Sequence, residues 1–303
     1  MLFEKENRRL RIFSTLIGGL GNQMFGYAAS LYYAKRWGGE LQLLSLPESR
    51  SSSFGYSRPF QLSHFQIDAP IRVASLAHRL HQTNVRQLKP TMTRCNSWLG
   101  VVCLAEPRQF TFHPGLQPPA KTRRVYLRGY WQAHQYVLAM EAQLRNDFRF
   151  RTEPFGLNRN LMERIRSADT TISIHVRRGD YLNVGMALPT AYYDRAIAFM
   201  SEHFPGAMFV VFSDDMEFAH KQFDGAGLKA IFADGNTAET AYEDLRLMSA
   251  CTHHIIANST FSWWGAWLSA APAKRVVSPR YWDNNPSHTY PDLCPAEWTR
   301  LDN

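Results

Sequence analysis

The stretch TTISIHVRRGDY, residues 170–181, decides the fold. TTISIHV is short, apolar and rich in β-branched residues, as a buried strand is, and Gly179-Asp180 marks the turn that follows it. Similar runs recur downstream: MFVVFS (208–213), LKAIFA (228–233), HIIA (254–257) and RVVS (275–278). Helical stretches separate them, namely TAYYDRAIAFMSEHF, MEFAHKQF, TAETAYEDLRLMSACT and STFSWWGAWLSA. Strands alternating with helices predict a parallel, doubly wound α/β sheet. Ligands of such sheets bind at the carboxyl ends of the strands. His175, Arg177 and Arg178 therefore stand where a nucleotide's phosphates would lie. Two readings of the arginine pair follow: a basic turn braced by Asp180, or a site for a doubly charged anion.

Upstream the pattern is α/β but less regular. RIFSTLI from residue 11 reads as a strand, GGLG as a turn, and NQMFGYAASLYYAKRWG as a helix ending at Gly38-Gly39. Met24, Ala28, Leu31 and Ala34 fall near one face of that helix. ELQLLS and RVYLRGYW resume extended structure, and PESRSSSFGYSRP (47–59) reads as a Ser-rich surface loop. Pro154 and Gly156 interrupt the pattern near 148–158, which predicts two α/β domains, 1–152 and 153–303.

Three further stretches carry chemistry. In HIIANSTFSWWGAWL (254–268), Asn258, Ser259 and Thr260 open a helix, either as ordinary caps or as anion ligands at its N-terminus. In VFSDDMEFA (211–219), Asp214 and Asp215 end a strand and either cap the next helix, hold a cation or meet a ribose or base. GGLGNQMFG (18–26) holds Gly19 and Gly21, but Met24 stands where a dinucleotide fingerprint needs its third glycine. Trp263, Trp264 and Trp267 read as packing residues, and Glu239 and Glu243 as helical residues free to face solvent.

Composition narrows the classes. The 303 residues carry a net charge of +8, and 27 of the 34 basic residues are arginine. Arginine's planar fork suits phosphate, so the excess fits a phosphate-bearing ligand, an acidic lipid surface or nucleic acid. No nucleic-acid motif accompanies it, and the arginines are spread along the chain. GxxxxGK[ST] and GxSxG are both absent, which excludes a P-loop NTPase and disfavours an α/β-hydrolase. Cys95, Cys103, Cys251 and Cys294 lack zinc-site spacing and read as reduced thiols, and adjacent His253 and His254 are poor joint ligands. Neither a membrane span nor a signal peptide is read, so the expected location is cytoplasmic, with peripheral contact to an acidic membrane surface as an extension.

GGLGNQMFGYA, RPFQLSHF, LRGYWQ, HVRRGDY, FSDD, EDLRLMSACTHHIIANSTFSWWGAWL and the final P..W pattern together resemble the bacterial α-1,2-fucosyltransferases. The matches run in family order from about residue 11 to 282. The resemblance implies the GT-B architecture, two facing Rossmann-like domains with the active-site cleft between them. It makes the first the acceptor side and the second the nucleotide-sugar side, with a C-terminal tail that can return to the first. It implies transfer of L-fucose from GDP-β-L-fucose to the 2-hydroxyl of a terminal galactose, with inversion and without metal or other cofactor. The acceptor would be a galactose-terminated oligosaccharide or lipid-linked glycan. By this likeness Arg177 neutralises the β-phosphate and Arg178 holds the loop or assists. His175 lies near ribose or guanine, Asp214 near the guanine edge, and Ser259 and Thr260 cap the pyrophosphate. Asn22, with Gly21 and Gln23 beside it, stands near the reacting centre. No residue emerges as the base, and residues 68–122 match nothing in the family pattern.

Overall fold

A computed structural model describes residues 9–45, 59–74, 94–96, 100–224 and 227–303 of the chain. These form two compact units, Met1–Arg149 and Phe150–Asn303. The Ser-rich stretch 47–59 lies outside the described residues except for Pro59.

The first unit opens with β1 (Arg11–Leu16), α1 (Leu20–Trp37) and β2 (Glu40–Ser45). β3 (Ile71–Val73), β4 (Arg94–Asn96), β5 (Val101–Ala105) and β6 (Arg124–Arg128) follow, then α2 (His134–Ala139) and α3 (Glu141–Asp147). Its sheet runs in the order β3-β2-β1-β6-β5-β4. All pairs are parallel except β4 with β5. Helix α1 stops where expected, because Gly38 takes the left-handed conformation at φ 64° and Lys35 and Arg36 stand in its last turn. Its burial is wider than the single face read from Met24, Ala28, Leu31 and Ala34. Leu31 is half-exposed, whereas Phe25, Tyr27, Ala29 and Tyr33 are buried as well. An aromatic cluster explains this: Tyr33 stacks on Trp37 and meets Trp131 edge-on, and its hydroxyl bonds that of Tyr136 at 2.8 Å.

In the second unit α4 (Leu157–Ser167) precedes β7 (Thr171–Val176), α5 (Gly179–Asn183), α6 (Thr190–His203) and β8 (Met208–Ser213). Then come α7 (Met216–Phe223), β9 (Ala230–Phe232), α8 (Ala241–Ala250), β10 (His253–Ile255), α9 (Thr260–Leu268), β11 (Val276–Pro279) and β12 (Thr299–Leu301). Every strand pair is parallel, in the order β9-β8-β7-β10-β11-β12. Counted from β7 this is 3-2-1-4-5-6, the dinucleotide-fold order. All six residues of β7 are buried, as a central strand covered by helices on both faces requires. At the C-terminal end, residues 299–301 extend the second unit's own sheet by pairing with β11.

Helices α8 and α9 meet without a spacer. A Cβ on Gly265 would lie 2.9 Å from both Cβ and Sδ of Met248. Trp263 and Trp264 are fully buried and Trp267 nearly so, which fixes α9 against movement away from that contact. Gly265→Ala is therefore expected to destabilise the protein by about 1–3 kcal/mol through overpacking. That outweighs the ~1 kcal/mol by which alanine is the better helix former. Urea denaturation reads this directly, and a midpoint unchanged or raised would contradict it.

Candidate functional site

In a doubly wound sheet the strand order reverses at one point, and the loops leaving the two strands there part to open a crevice. In the second unit these strands are β7 and β10. Their exit loops carry Arg177-Arg178 and Asn258-Ser259-Thr260, so the sheet gathers these two sequence-predicted stretches at one edge.

Both arginines are held by carboxylates. Arg177 Nη2 lies 2.6 Å from Asp180 Oδ1, and its Nη1 lies 2.8 Å from Asp214 Oδ2. The guanidinium also stands 5.2 Å from the Tyr181 ring centroid. Arg178 Nε meets Asp215 Oδ2 at 3.1 Å, and its guanidinium lies 3.6 Å over the Phe218 ring. Among the described residues nothing pairs with the two terminal nitrogens of Arg178. The arginine that binds Asp180 is thus Arg177, the one expected to face the phosphate; Arg178 is braced from the next loop instead.

Asp214 does not stand apart as a base-edge ligand. Its Oδ1 accepts the N–H of Arg178 at 2.8 Å while Oδ2 takes Arg177. Register brings this about, since Val176 is the partner of Ser213 and both strands release their loops at the same level. A Cβ on Gly179 would strike Asp214 Oδ2 at 2.6 Å, so glycine is what lets the carboxylate reach both groups. Capping falls to Asp215, whose side chain accepts the N–H of Phe218 at 3.1 Å. Two guanidiniums here face three carboxylates. The loop offers an anion rigid, directional donors rather than an excess of positive charge.

Across the switch point Ser259 caps α9, accepting the N–H of Phe261 at 3.3 Å, and Thr260 is the helix's first residue. The capping reading holds, and the N-terminus of this nine-residue helix stands beside the arginine loop's strand. Asn258 is buried and acts as a pin, its Nδ2 donating to the carbonyls of Met186 and Trp282, both at 2.9 Å. Tyr181 donates to the Asn258 carbonyl at 3.2 Å, tying the β7 and β10 exits together. His175 is only 5% exposed, packs against Phe261 and leaves Nδ1 without a partner among the described residues. Burial, then the neighbouring Arg177 charge, pushes its pKa down to about 3. It lies beneath the loop as a neutral ring, not on the open edge where a ribose contact would place it.

In the first unit the reversal falls between β1 and β6. The glycine that admits a close approach there is Gly18, at φ 76°, where a Cβ would lie 2.6 Å from Asn22 Nδ2 and 3.3 Å from Tyr130 Cε1. Asn22 is partly exposed and accepts from Gln132 Nε2 at 2.7 Å. Gly21 and Gln23, expected beside Asn22, are both buried. Gly21 is buried in the first turn of α1. Gln23 is 2% exposed; its Nε2 donates to the Gly18 and Pro59 carbonyls, and its Oε1 accepts from the Gln61 N–H. It holds the glycine turn from inside. Helix geometry explains this, because adjacent residues of α1 point about 100° apart and Asn22 takes the open side.

The acids set aside earlier differ as well. Glu239 precedes α8 and is exposed, whereas Glu243 is fully buried in a 3.0 Å ion pair with Arg246. Among the described residues no group of three or more His, Cys, Asp or Glu is placed to hold a metal, and no helix is long and apolar enough to cross a membrane. Cys103, Cys251 and Cys294 are free and buried. Motif reading contained Gly179, Tyr181, Phe218, Tyr130 and Gln132 but gave them none of these contacts, which depend on how the loops meet.

Residues 115–302 match the model of Glycosyl transferase family 11. The chain belongs to that family. This family 11 chain is 29% identical over 306 residues to an alpha-1,2-colitosyltransferase of Escherichia coli, covering 96% of this chain and 99% of the other. It is 31% identical to the O-antigen biosynthesis glycosyltransferase WbnK of Escherichia coli, covering 89% and 94%. Among solved structures, the NodZ alpha-1,6-fucosyltransferase co-crystallised with GDP superposes with a TM-score of 0.55 at 14% identity, over 89% of this chain and 94% of that one. The GT-B-like α/β class expected from the sequence is the class of this glycosyltransferase.

His175 gives the site a direct check. A buried imidazole with a depressed pKa refuses the proton that the unfolded chain accepts below about pH 6.5, so it lowers stability as pH falls from there toward 3. Its NMR signals are expected to keep neutral-ring positions from about pH 8 to 4.5; a titration midpoint near 6.5 would place the ring in solvent instead.

Proposed function

We propose that this family 11 glycosyltransferase moves L-fucose from GDP-β-L-fucose to the 2-hydroxyl of a terminal galactose on a glycan, with inversion and without a metal. The observation that carries the reading is the clamped arginine pair at the β7/β10 switch point, beside the N-terminus of α9. Departure of GDP places growing negative charge on its β-phosphate. Arg177, fixed by Asp180 and Asp214, keeps further N–H groups for that charge, and Arg178 presents its two unpaired terminal nitrogens. Donors held in place before the reaction act mainly on the transition state, because they need no reorganisation as charge develops. Ser259 and Thr260 add the helix N-terminus to the same anion. Guanidiniums and a helix end supply the neutralisation that other transferases draw from a divalent ion. Asn22, on the open edge of the first unit, is assigned to the sugar-accepting side.

The relative named for colitose transfer supports a second donor. Colitose is L-fucose lacking its 3-hydroxyl, so the same diphosphate grip would serve either sugar and discrimination would rest on one hydroxyl. A galactose-terminated oligosaccharide, free or lipid-linked, fits either donor as acceptor.

Incubation with GDP-fucose and a galactose-terminated disaccharide in EDTA is expected to release GDP in proportion to fucosylated product. Arg177→Ala is expected to lower turnover by about 10²–10³-fold with the fold retained. Product from GDP-colitose or GDP-mannose but not GDP-fucose would overturn the sugar. Loss of activity in EDTA restored by Mn²⁺ would overturn the metal-independent mechanism.

A further inference from the structure

The loop that carries Arg177 and Arg178 runs on through α5 to residue 187, and its far end has supports of its own. The loop is folded on itself. The Leu182 N–H donates to the Arg178 carbonyl at 2.8 Å and the Met186 N–H to the Tyr181 carbonyl at 2.9 Å, with Gly185 left-handed at φ 68°. The three consecutive carbonyls of Gly185, Met186 and Ala187 then each accept an asparagine Nδ2. Asn284 donates to Gly185 and Ala187, both at 3.3 Å, and Asn258 donates to Met186 at 2.9 Å.

Asn284 is itself set in place. It belongs to the segment leaving β11 and stands at φ 59°, a left-handed conformation that asparagine tolerates better than most residues with a side chain. Asn303, two residues past β12, holds it there. The Asn303 Nδ2 donates to Asn284 Oδ1 at 2.7 Å and to the Tyr281 carbonyl at 2.9 Å, while its Oδ1 accepts the Tyr281 N–H at 2.9 Å. Asp283 shapes the same segment, accepting the Asn285 N–H at 3.2 Å on Oδ1 and the Tyr290 hydroxyl at 2.8 Å on Oδ2. The Asn258 Nδ2 that binds Met186 also binds the Trp282 carbonyl, so Asn258 and Asn284 join the β7 and β11 exits at two points. A segment without a strand or helix of its own has no ladder to hold it, and these side-chain amides take the ladder's place.

We propose that Asn284, held by Asn303, is a positioning residue for the diphosphate grip, an inference resting on the transferase reading above. The path from one to the other is short. Asn284 and Asn258 fix the 185–187 carbonyls, the Met186 N–H passes that constraint to Tyr181, and the Tyr181 ring lies against the Arg177 guanidinium. Asp214 sets the near end of the loop and Asn284 the far end. With both ends fixed, the two guanidiniums keep their directions before an anion arrives. Donors ordered in advance lose less freedom on binding, so affinity falls when the support is removed even though no contact with the ligand is lost. A purely structural Asn284 would behave differently: stability would drop, and the folded protein would bind its nucleotide as before.

The test is Asn284→Gly in the full chain, because glycine keeps the left-handed backbone and removes only the amide. GDP affinity is measured by calorimetry well below the melting temperature, where wild type and variant are both folded, and transfer kinetics are measured alongside. The variant should bind GDP about tenfold more weakly, the effect of losing two ordinary hydrogen bonds. Its KM for GDP-fucose should rise by a similar factor while the KM for the glycan stays within about twofold of wild type. Asn303→Ala should weaken GDP binding in the same direction, and the two changes together should cost less than their sum, since Asn303 acts through Asn284. A folded Asn284→Gly that binds GDP within about twofold of wild type, whatever its melting temperature, would overturn the assignment. Where Asn284→Gly does not fold, Asn303→Ala decides by the same measurement: a loss of GDP affinity beyond about twofold supports the assignment, and a smaller one overturns it. Wild-type protein that binds no GDP would instead overturn the reading on which the proposal stands.

Discussion

The Asp214 carboxylate is the contact on which the second unit's site depends. One oxygen takes the Arg177 guanidinium and the other the Arg178 N–H, and Gly179 clears the space between. Two charge-assisted bonds from one side chain set both the position of a guanidinium and the path of the loop that bears its neighbour. Asp215, the next residue, repeats the arrangement by holding Arg178 while capping α7. The turn after β8 thus acts as a template for the turn after β7, and parallel pairing of the two strands supplies the alignment.

The first unit uses the same device. Glu106, leaving β5, accepts the N–H of Tyr130, which leaves β6, and Gly129 provides the clearance that Gly179 provides in the other unit. In each case a carboxylate from one strand's exit fixes the backbone of the adjacent exit beside the switch point. Each grip sets the side chains beside it: Arg177 and Arg178 in the second unit, Tyr130 and Gln132 next to Asn22 in the first. The outcomes differ in charge. Asp214 meets a guanidinium, while Glu106 meets only backbone donors and burial, which leaves it able to take up a proton near neutrality.

Much of the fold was legible because the central strands of the second unit are buried on both faces and read as unbroken apolar runs. β12, Thr-Arg-Leu, and β3, Ile-Arg-Val, carry no such signal: both are short edge strands, one half-buried and the other exposed. The arginine loop, the paired aspartates and the capped α9 were readable as chemistry at strand ends. Which carboxylate meets which arginine was not, since that follows from the register of β7 against β8. Gln23 looked like a partner of Asn22 in sequence, yet one step along a helix turns it into the core. Glu106 was invisible because a single acid after an apolar strand forms no motif; its grip on the turn after β6 depends on the glycine opposite and on the backbone N–H groups of that turn.

The central claim is that the clamped arginines and the α9 N-terminus hold a diphosphate. Calorimetric comparison of GDP with GMP in EDTA, for wild type and Arg177→Ala, tests it most directly. GDP is expected to bind wild type at least about tenfold more tightly than GMP, a difference of about 1.4 kcal/mol, with that advantage lost in the variant. Equal affinity for the two nucleotides, or a GDP preference untouched by Arg177→Ala, would contradict it.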